Sequence, residues 1–173
     1  LSKPLFSAFS LVLAQNERLA HRFAVLGAPR ALDVGNLKAD APPPRADPHG
    51  QRKLDAALLG RAVWLAASTH PGEDDMVAAA HLKMRAARPN LLTIIVPRHP
   101  DRVPHIARLL ASAGVDLKLA LRSEGKLPDA DTDIYVADTI GELGLYYSLA
   151  PFAFVGGSLV PHGGQNPIEA VKL

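Results

Sequence analysis

The sequence predicts an α/β fold built on a Rossmann-like parallel sheet, and three observations carry that expectation. Short apolar runs alternate with amphipathic stretches of helical period along most of the chain. The run Leu91-Leu92-Thr93-Ile94-Ile95-Val96 is apolar at nearly every position, as a strand covered on both faces should be. Polar and glycine-rich clusters then follow several strands, at the carboxyl ends where open parallel sheets bind their ligands.

Taken in order, Leu11–Ala14 reads as a strand. A helix follows, capped by Asn16, with Leu19, Phe23 and Leu26 on one face and Gly27 as its stop. Ala31–Val34 is a second short strand. The composition then shifts to DAPPPRADPHG over Asp40–Gly50, where four prolines deny the backbone helix and ladder hydrogen bonds. An interdomain linker is expected there, followed by a short helix at Gln51–Leu59. Further strands are expected at Val63–Ala67, Leu91–Val96, Val115–Leu121, Ile134–Ala137 and Phe152–Val155. Helices are expected between them at Asp74–Ala87, Val103–Ala113 and Ile140–Leu149. Trp64 and the pair Tyr146-Tyr147 read as packing residues.

Composition excludes several function classes. The 173 residues suit roughly one domain. Hydrophobic residues at 48% and charged residues at 21% are ordinary globular usage, which rules out whole-chain disorder. Gly and Pro number 13 and 15 without a three-residue period, so collagen is excluded. A formal charge of +2 is too small for a nucleic-acid platform. Without cysteine there is no disulfide framework, thiol nucleophile or Cys-ligated metal. The 7 histidines show no metal-ligand spacing, and neither a phosphate-loop signature nor a nucleophile elbow is present. No apolar run approaches the ~18 residues of a bilayer-spanning helix. Leu5–Ala14 only faintly imitates a signal-peptide core. A start at Leu1, and an end at Leu173 in the opening turns of a helix, make a piece of a longer protein the expectation.

Three loops carry chemistry. After Val63–Ala67 comes Ser68-Thr69-His70-Pro71-Gly72-Glu73-Asp74-Asp75. Its acids read as the first turn of a helix capped by Ser or Thr, complementing the helix dipole. His70, at a strand end, is placed to meet a phosphate or a sugar hydroxyl. After Leu91–Val96, two prolines fix a loop presenting Arg98, His99 and Arg102, and a guanidinium fork suits phosphate or carboxylate oxygens; a solvated basic loop is the plainer reading. After Phe152–Val155, the pairs Gly156-Gly157 and Gly163-Gly164 bracket a loop containing Ser158. Asn166-Pro167 then opens a helix whose free N–H groups suit an anion; a tight strand-to-helix turn is the plainer reading there.

The segments ALDVGNLKAD, WLAASTHPGED, LLTIIVPRHPDR and YVADTIGELGLYYSLAPFAFVGGSLVPHGGQNPIEA together resemble the 3-deoxy-D-manno-octulosonic acid (Kdo) transferases. The resemblance covers nearly the whole chain in the family's order. Gln165 stands where many members have His, and Ala170 where Pro is common.

The resemblance implies a two-domain GT-B glycosyltransferase that moves Kdo from CMP-Kdo to a lipid A precursor, with inversion and without a metal or other cofactor. Residues 1–40 would be the tail of the acceptor-binding domain, 41–59 the proline-rich linker and short helix, and 60–173 the donor domain. The general base and a membrane anchor would lie in an N-terminal part, placing the enzyme on the cytoplasmic face of the inner membrane with this piece itself soluble. Donor-binding residues would be Ser68, His70, Arg98, His99, Arg102, Gly156, Gly157, Ser158, Asn166 and Glu169, the last on ribose hydroxyls. Two rival readings remain: a UDP-sugar epimerase of the same architecture, and a non-catalytic nucleotide-binding module.

Overall fold

The computed structural model describes residues 2–43, 47–58, 60–112 and 116–173. They divide into two units, Leu1–Pro42 and Pro43–Leu173. The first holds helix α1 (Ser2–Phe6), strand β1 (Val12–Ala14), helix α2 (Glu17–Val25) and strand β2 (Ala31–Asp33). Strands β1 and β2 run parallel, with Val12 opposite Ala31. Asn16 caps α2 as expected, its Oδ1 accepting from the Leu19 N–H at 2.9 Å. Gly27 supplies the left-handed residue after it, at φ 109°.

The second unit contains helix α3 (Pro48–Ala57), strand β3 (Ala62–Thr69), helix α4 (Glu73–Arg85), strand β4 (Leu91–Pro97) and helix α5 (Val103–Ser112). Strands β5 (Leu119–Leu121) and β6 (Ile134–Val136), helix α6 (Leu143–Leu149), strand β7 (Ala153–Val155) and helix α7 (Ile168–Val171) complete it. The sheet order is β5-β6-β4-β3-β7, with every pair parallel. Alternate strand residues feed two cores. Leu65, Leu92, Ile94 and Tyr135 face Leu54, Leu145 and Tyr146 on one side. Trp64, Ala66, Ile95 and Val136 face Val77, Ala78, Ile106 and Leu110 on the other. Burial on both faces is why β4 lacks a polar alternation.

Four expectations need correcting. Helix α3 starts at Pro48, not Gln51, because the Asp47 carboxylate accepts from the N–H groups of His49 and Gly50 and Pro48 fits the first turn. Its Leu54 and the Leu58 that caps its end belong to the core of the second unit, so this helix is part of the domain and not of a linker. Strand β3 runs on through Ser68 to Thr69, and the cap of α4 is Gly72 at φ 90° with no Ser or Thr side-chain bond. Helix α7 begins at Ile168; Pro167 takes the cap position, and Asn166 Oδ1 accepts from the Ile168 N–H at 3.0 Å. The expected extents of strand Val115–Leu121, helix Val103–Ala113, helix Gln51–Leu59 and the proline segment fall partly outside the described residues, at 115, 113, 59 and 44–46.

One buried polar chain crosses the second core. Trp64 Nε1 donates to Thr93 Oγ1 at 2.6 Å, and that hydroxyl also meets His81 Nδ1 at 2.8 Å. Burial holds the His81 pKa below its ordinary 6.5; the Asp133 carboxylate, 3.8 Å from Nε2, opposes this, while Arg85 and Arg61 reinforce it. The unfolded chain therefore takes up the His81 proton first as the pH falls, which pulls the equilibrium toward unfolding. Stability should decline as the pH drops below about 6.5, and His81→Gln should flatten that decline. Urea midpoints at about pH 7.5 and 5.5 check it; the same decline in wild type and variant would remove His81 as a cause.

Candidate functional site

The chain leaves β3 toward β4 on one side and returns through β7 on the other, so the order reverses beside β3. In open parallel sheets such a reversal opens a crevice at the strand carboxyl ends. Loops from β3, β4, β6 and β7 meet there.

At the centre is Ser68, at φ 55° the one non-glycine residue in the left-handed region among the described residues. A register shift between Ala67 and Thr69 accommodates it and turns its carbonyl toward Gly156. Gly156 donates to the Ala67 carbonyl at 2.8 Å, which brings the start of the β7 loop flush against β3. A side chain at 156 would place its Cβ 2.7 Å from the Ser68 carbonyl carbon and 2.9 Å from Glu73 Oε2. Only glycine fits.

Glu73 is fully buried beneath this junction. Its Oε2 accepts from the N–H groups of His70 at 2.9 Å and Gly157 at 2.8 Å, and its Oε1 from those of Ser158 and Leu159 at 3.1 Å each. Burial pushes this carboxyl up, but the four N–H groups outweigh it and hold it below the ordinary carboxylate range. His70, buried, packs against His162 with the rings tilted by 34° and their centroids 3.9 Å apart, and its Nε2 lies 3.0 Å from Gln165 Nε2. Burial and the neighbouring His162 together hold His70 below the ordinary histidine range, leaving a neutral ring able to accept from the Gln165 amide.

A cavity of about 340 Å³ opens on the other side of Ser68. Val96 near the end of β4, with Arg98, His99 and Pro100 from the loop after it, faces Thr139, Ile140 and Gly141 from the β6 loop across it. Arg98 and His99 are exposed, with no side-chain ion pair among the described residues. Arg102 is turned inward instead. Its guanidinium bonds Asp74, which is fully buried, and the Thr69 carbonyl, and its own side chain is 11% exposed. The expectation that Arg102 presents its fork outward is therefore corrected: the buried Asp74 charge claims that fork.

The β6 loop is braced from behind. Arg122 grips Glu142 with two bonds, at 3.0 and 2.7 Å, and Thr139 Oγ1 donates to the same carboxylate. Those bonds from Arg122 hold Glu142 below the usual carboxylate range. Ile140 at the rim is 89% exposed.

Of the residues expected from sequence, Ser68, Arg98 and His99 line one cavity, while His70, Gly156, Gly157 and Ser158 form the adjoining clamp. The cavity lining does not include Asn166 or Glu169. Glu169 is half-buried on α7; burial, with Glu169 adding to it, pushes the Tyr147 phenol up to about 12. Because α7 has only four residues, its start makes a poor anion site. Sequence reasoning missed Glu73, Asp74, His162, Gln165 and the wall Thr139–Gly141. That wall follows a strand carboxyl end, the same positional signal that singled out the other three loops. Among the described residues no group of His, Asp and Glu is arranged to hold a metal ion.

No family model matches the chain. Over 98% of its length it is 40% identical to the 3-deoxy-D-manno-octulosonic acid transferase of Haemophilus influenzae, covering 40% of that protein. The transferase of the same name from Bordetella pertussis is 40% identical over 92% of this chain and 37% of its own length. A probable mitochondrial 3-deoxy-D-manno-octulosonic acid transferase of Arabidopsis thaliana is 35% identical over 96% of this chain and 38% of its own. The chain thus spans about two-fifths of these relatives. Among solved structures, the C-terminal CMP-Kdo binding domain of WaaA from Acinetobacter baumannii matches with a TM-score of 0.65 and 35% identity, over 70% of this chain and 64% of that one.

Proposed function

Because this chain belongs to the 3-deoxy-D-manno-octulosonic acid transferase family, we propose that its second unit is the donor-binding lobe of an enzyme moving Kdo from CMP-Kdo to a lipid A precursor. The observation that carries this reading is the crevice beside β3, whose loops hold the family-like motifs and which lies in a chain similar to a CMP-Kdo binding domain. Its volume lies at the small end of small-molecule sites. CMP departs with one phosphate that gains charge as the glycosidic bond breaks, and preorganised donors must meet that charge. Arg98 is a guanidinium at the crevice with no side-chain ion pair among the described residues, and the loop Gly156–Ser158 brings backbone close to the same place. Asn166 and Glu169 belong to the site if α7 approaches the nucleotide, with Glu169 accepting from ribose hydroxyls. His99 would add a ring N–H donor beside it. In this proposal the reaction inverts the sugar and needs no metal or other cofactor.

The acceptor hydroxyl must lose its proton to a base within hydrogen-bond reach. Among the described residues no carboxylate lines the cavity, and of the two acids buried beside it Glu73 is held by four N–H groups and Asp74 by Arg102. We place the base, the lipid acceptor and the contact with the cytoplasmic face of the inner membrane in the part of the enzyme beyond this chain, with residues 1–40 as the end of the acceptor domain. Among the described residues no helix is long and apolar enough to cross a membrane.

Calorimetric titration with CMP and UDP tests the reading. CMP should bind at least tenfold more tightly than UDP. Arg98→Lys keeps the charge and loses the planar fork, and should weaken CMP by roughly tenfold or more, the scale of one hydrogen bond to a charged group. Tighter UDP binding would favour the epimerase reading, and no binding of either nucleotide would overturn a nucleotide site.

A further inference from the structure

We infer that Glu73 is a positioning residue for the crevice: its buried carboxylate locks the Gly156–Leu159 turn to the His70 turn, so that the ligand-facing backbone is set before a ligand arrives. The inference rests on the donor-site reading and names a residue through which that site is built.

A carboxylate offers about four acceptor positions, and here all four are filled by backbone N–H groups. One donor lies three residues away, and the others 84, 85 and 86 residues away. The carboxylate therefore joins the β3 loop to the β7 loop, beside the contact of Gly156 with Ala67 and Ser68 and the side-chain contacts of His70 with His162 and Gln165. Converging N–H groups are also what protein loops use to hold a bound anion. In this loop the anion is supplied by the protein itself, which fixes the turn at Gly157 (φ 76°) with no need of ligand.

The neighbouring acid does the same for another wall. Asp74 takes Arg102, and Arg102 also holds the Thr69 carbonyl, which fixes the β4 loop. Two consecutive residues in the first turn of α4 thus set two sides of the crevice. No cation bonds Glu73 among the described residues, so its effect passes through backbone geometry alone. Losing it should disturb the shape of the loop more than the charge of the site.

The test uses the ¹⁵N-labelled chain, with CMP as the probe. In wild type, the amides of His70, Gly157, Ser158 and Leu159 should exchange at least tenfold more slowly than that of Gly163, which sits in the same loop outside the clamp. Glu73→Gln keeps the size but faces two N–H groups with another donor. It should speed exchange at Gly157, Ser158 or Leu159 at least tenfold, leave Ile94 and Ile95 unchanged, and weaken CMP binding at least tenfold. Unchanged exchange, or CMP affinity within twofold of wild type in the folded variant, would overturn the inference. If Glu73→Gln does not fold, the wild-type exchange rates still decide: rapid exchange at those four amides overturns it and slow exchange supports it. Absence of CMP binding in wild type alongside slow exchange would instead count against the donor-site reading and leave the locked loop standing.

Discussion

Gly156→Ala should abolish measurable CMP binding and destabilise the second unit by about 3 kcal/mol or more, the upper range for forcing atoms into a packed site. The added Cβ would lie 2.7 Å from the Ser68 carbonyl carbon and 2.9 Å from Glu73 Oε2. The first neighbour is backbone of strand β3, paired on both sides, and cannot turn aside. The second is a carboxylate already holding four N–H groups, and moving it breaks those bonds. The β7 loop must then detach from β3, and the crevice loses a wall. Gly163→Ala is the comparison in the same loop. Gly163, unlike Gly156, has a left-handed φ, 95°, and nothing lies within 4 Å of its Cβ position. Its cost should be the conformational one alone, about 1–2 kcal/mol. Thermal unfolding separates them: a shift of roughly 6–12 °C for Gly156→Ala, and a clearly smaller one for Gly163→Ala. Equal shifts would mean that crowding against Ser68 and Glu73 at 156 costs no more than the backbone strain at 163, and would overturn the expectation.

Arg102→Ala should cost about 3–5 kcal/mol, because it leaves Asp74 charged, buried and without its cation. The Thr69 carbonyl loses a donor as well, although the Arg98 N–H at 3.0 Å remains. The double variant Arg102→Met with Asp74→Leu removes both charges and fills similar volume, so it should recover most of the lost stability. Urea denaturation of the two variants beside wild type reads this directly. A loss below about 1 kcal/mol in Arg102→Ala would place the pair among weak surface bridges. It would also free Arg102 to act on a ligand phosphate, as its sequence position suggests. The decisive contrast is with Arg98→Lys, which should change CMP affinity while leaving the unfolding midpoint in place. Two arginines four residues apart would then divide into one that binds and one that holds.

The sheet was legible because strand burial writes a local pattern. Leu91–Val96 is apolar without alternation, and it is the central strand next to β3, covered on both faces. The cap at Asn16 and the stop at Gly27 were legible for the same reason, since each is decided within one turn of helix. Helix α3 was misplaced because the proline run hides a local cap. Asp47-Pro48 reads as linker until the Asp47 carboxylate is seen on the N–H groups of His49 and Gly50.

From sequence alone came the parallel α/β class, the residues of most strands and helices, and the loops in which the crevice lies, because each depends on neighbours a few positions apart. The family resemblance also came from sequence, because it rests on residue order. The division of labour within the crevice came only from tertiary structure. Glu73, Asp74 and Asp75 look alike as three acids opening a helix. Glu73 closes on N–H groups more than eighty residues away, and Asp74 on Arg102 across the β4 loop. Arg98 and Arg102 look alike as two guanidinium groups in one loop, yet one meets solvent and the other a buried carboxylate. A charge's role is set by whether its partner is water or a group brought by another strand, and that pairing is fixed only when the sheet closes.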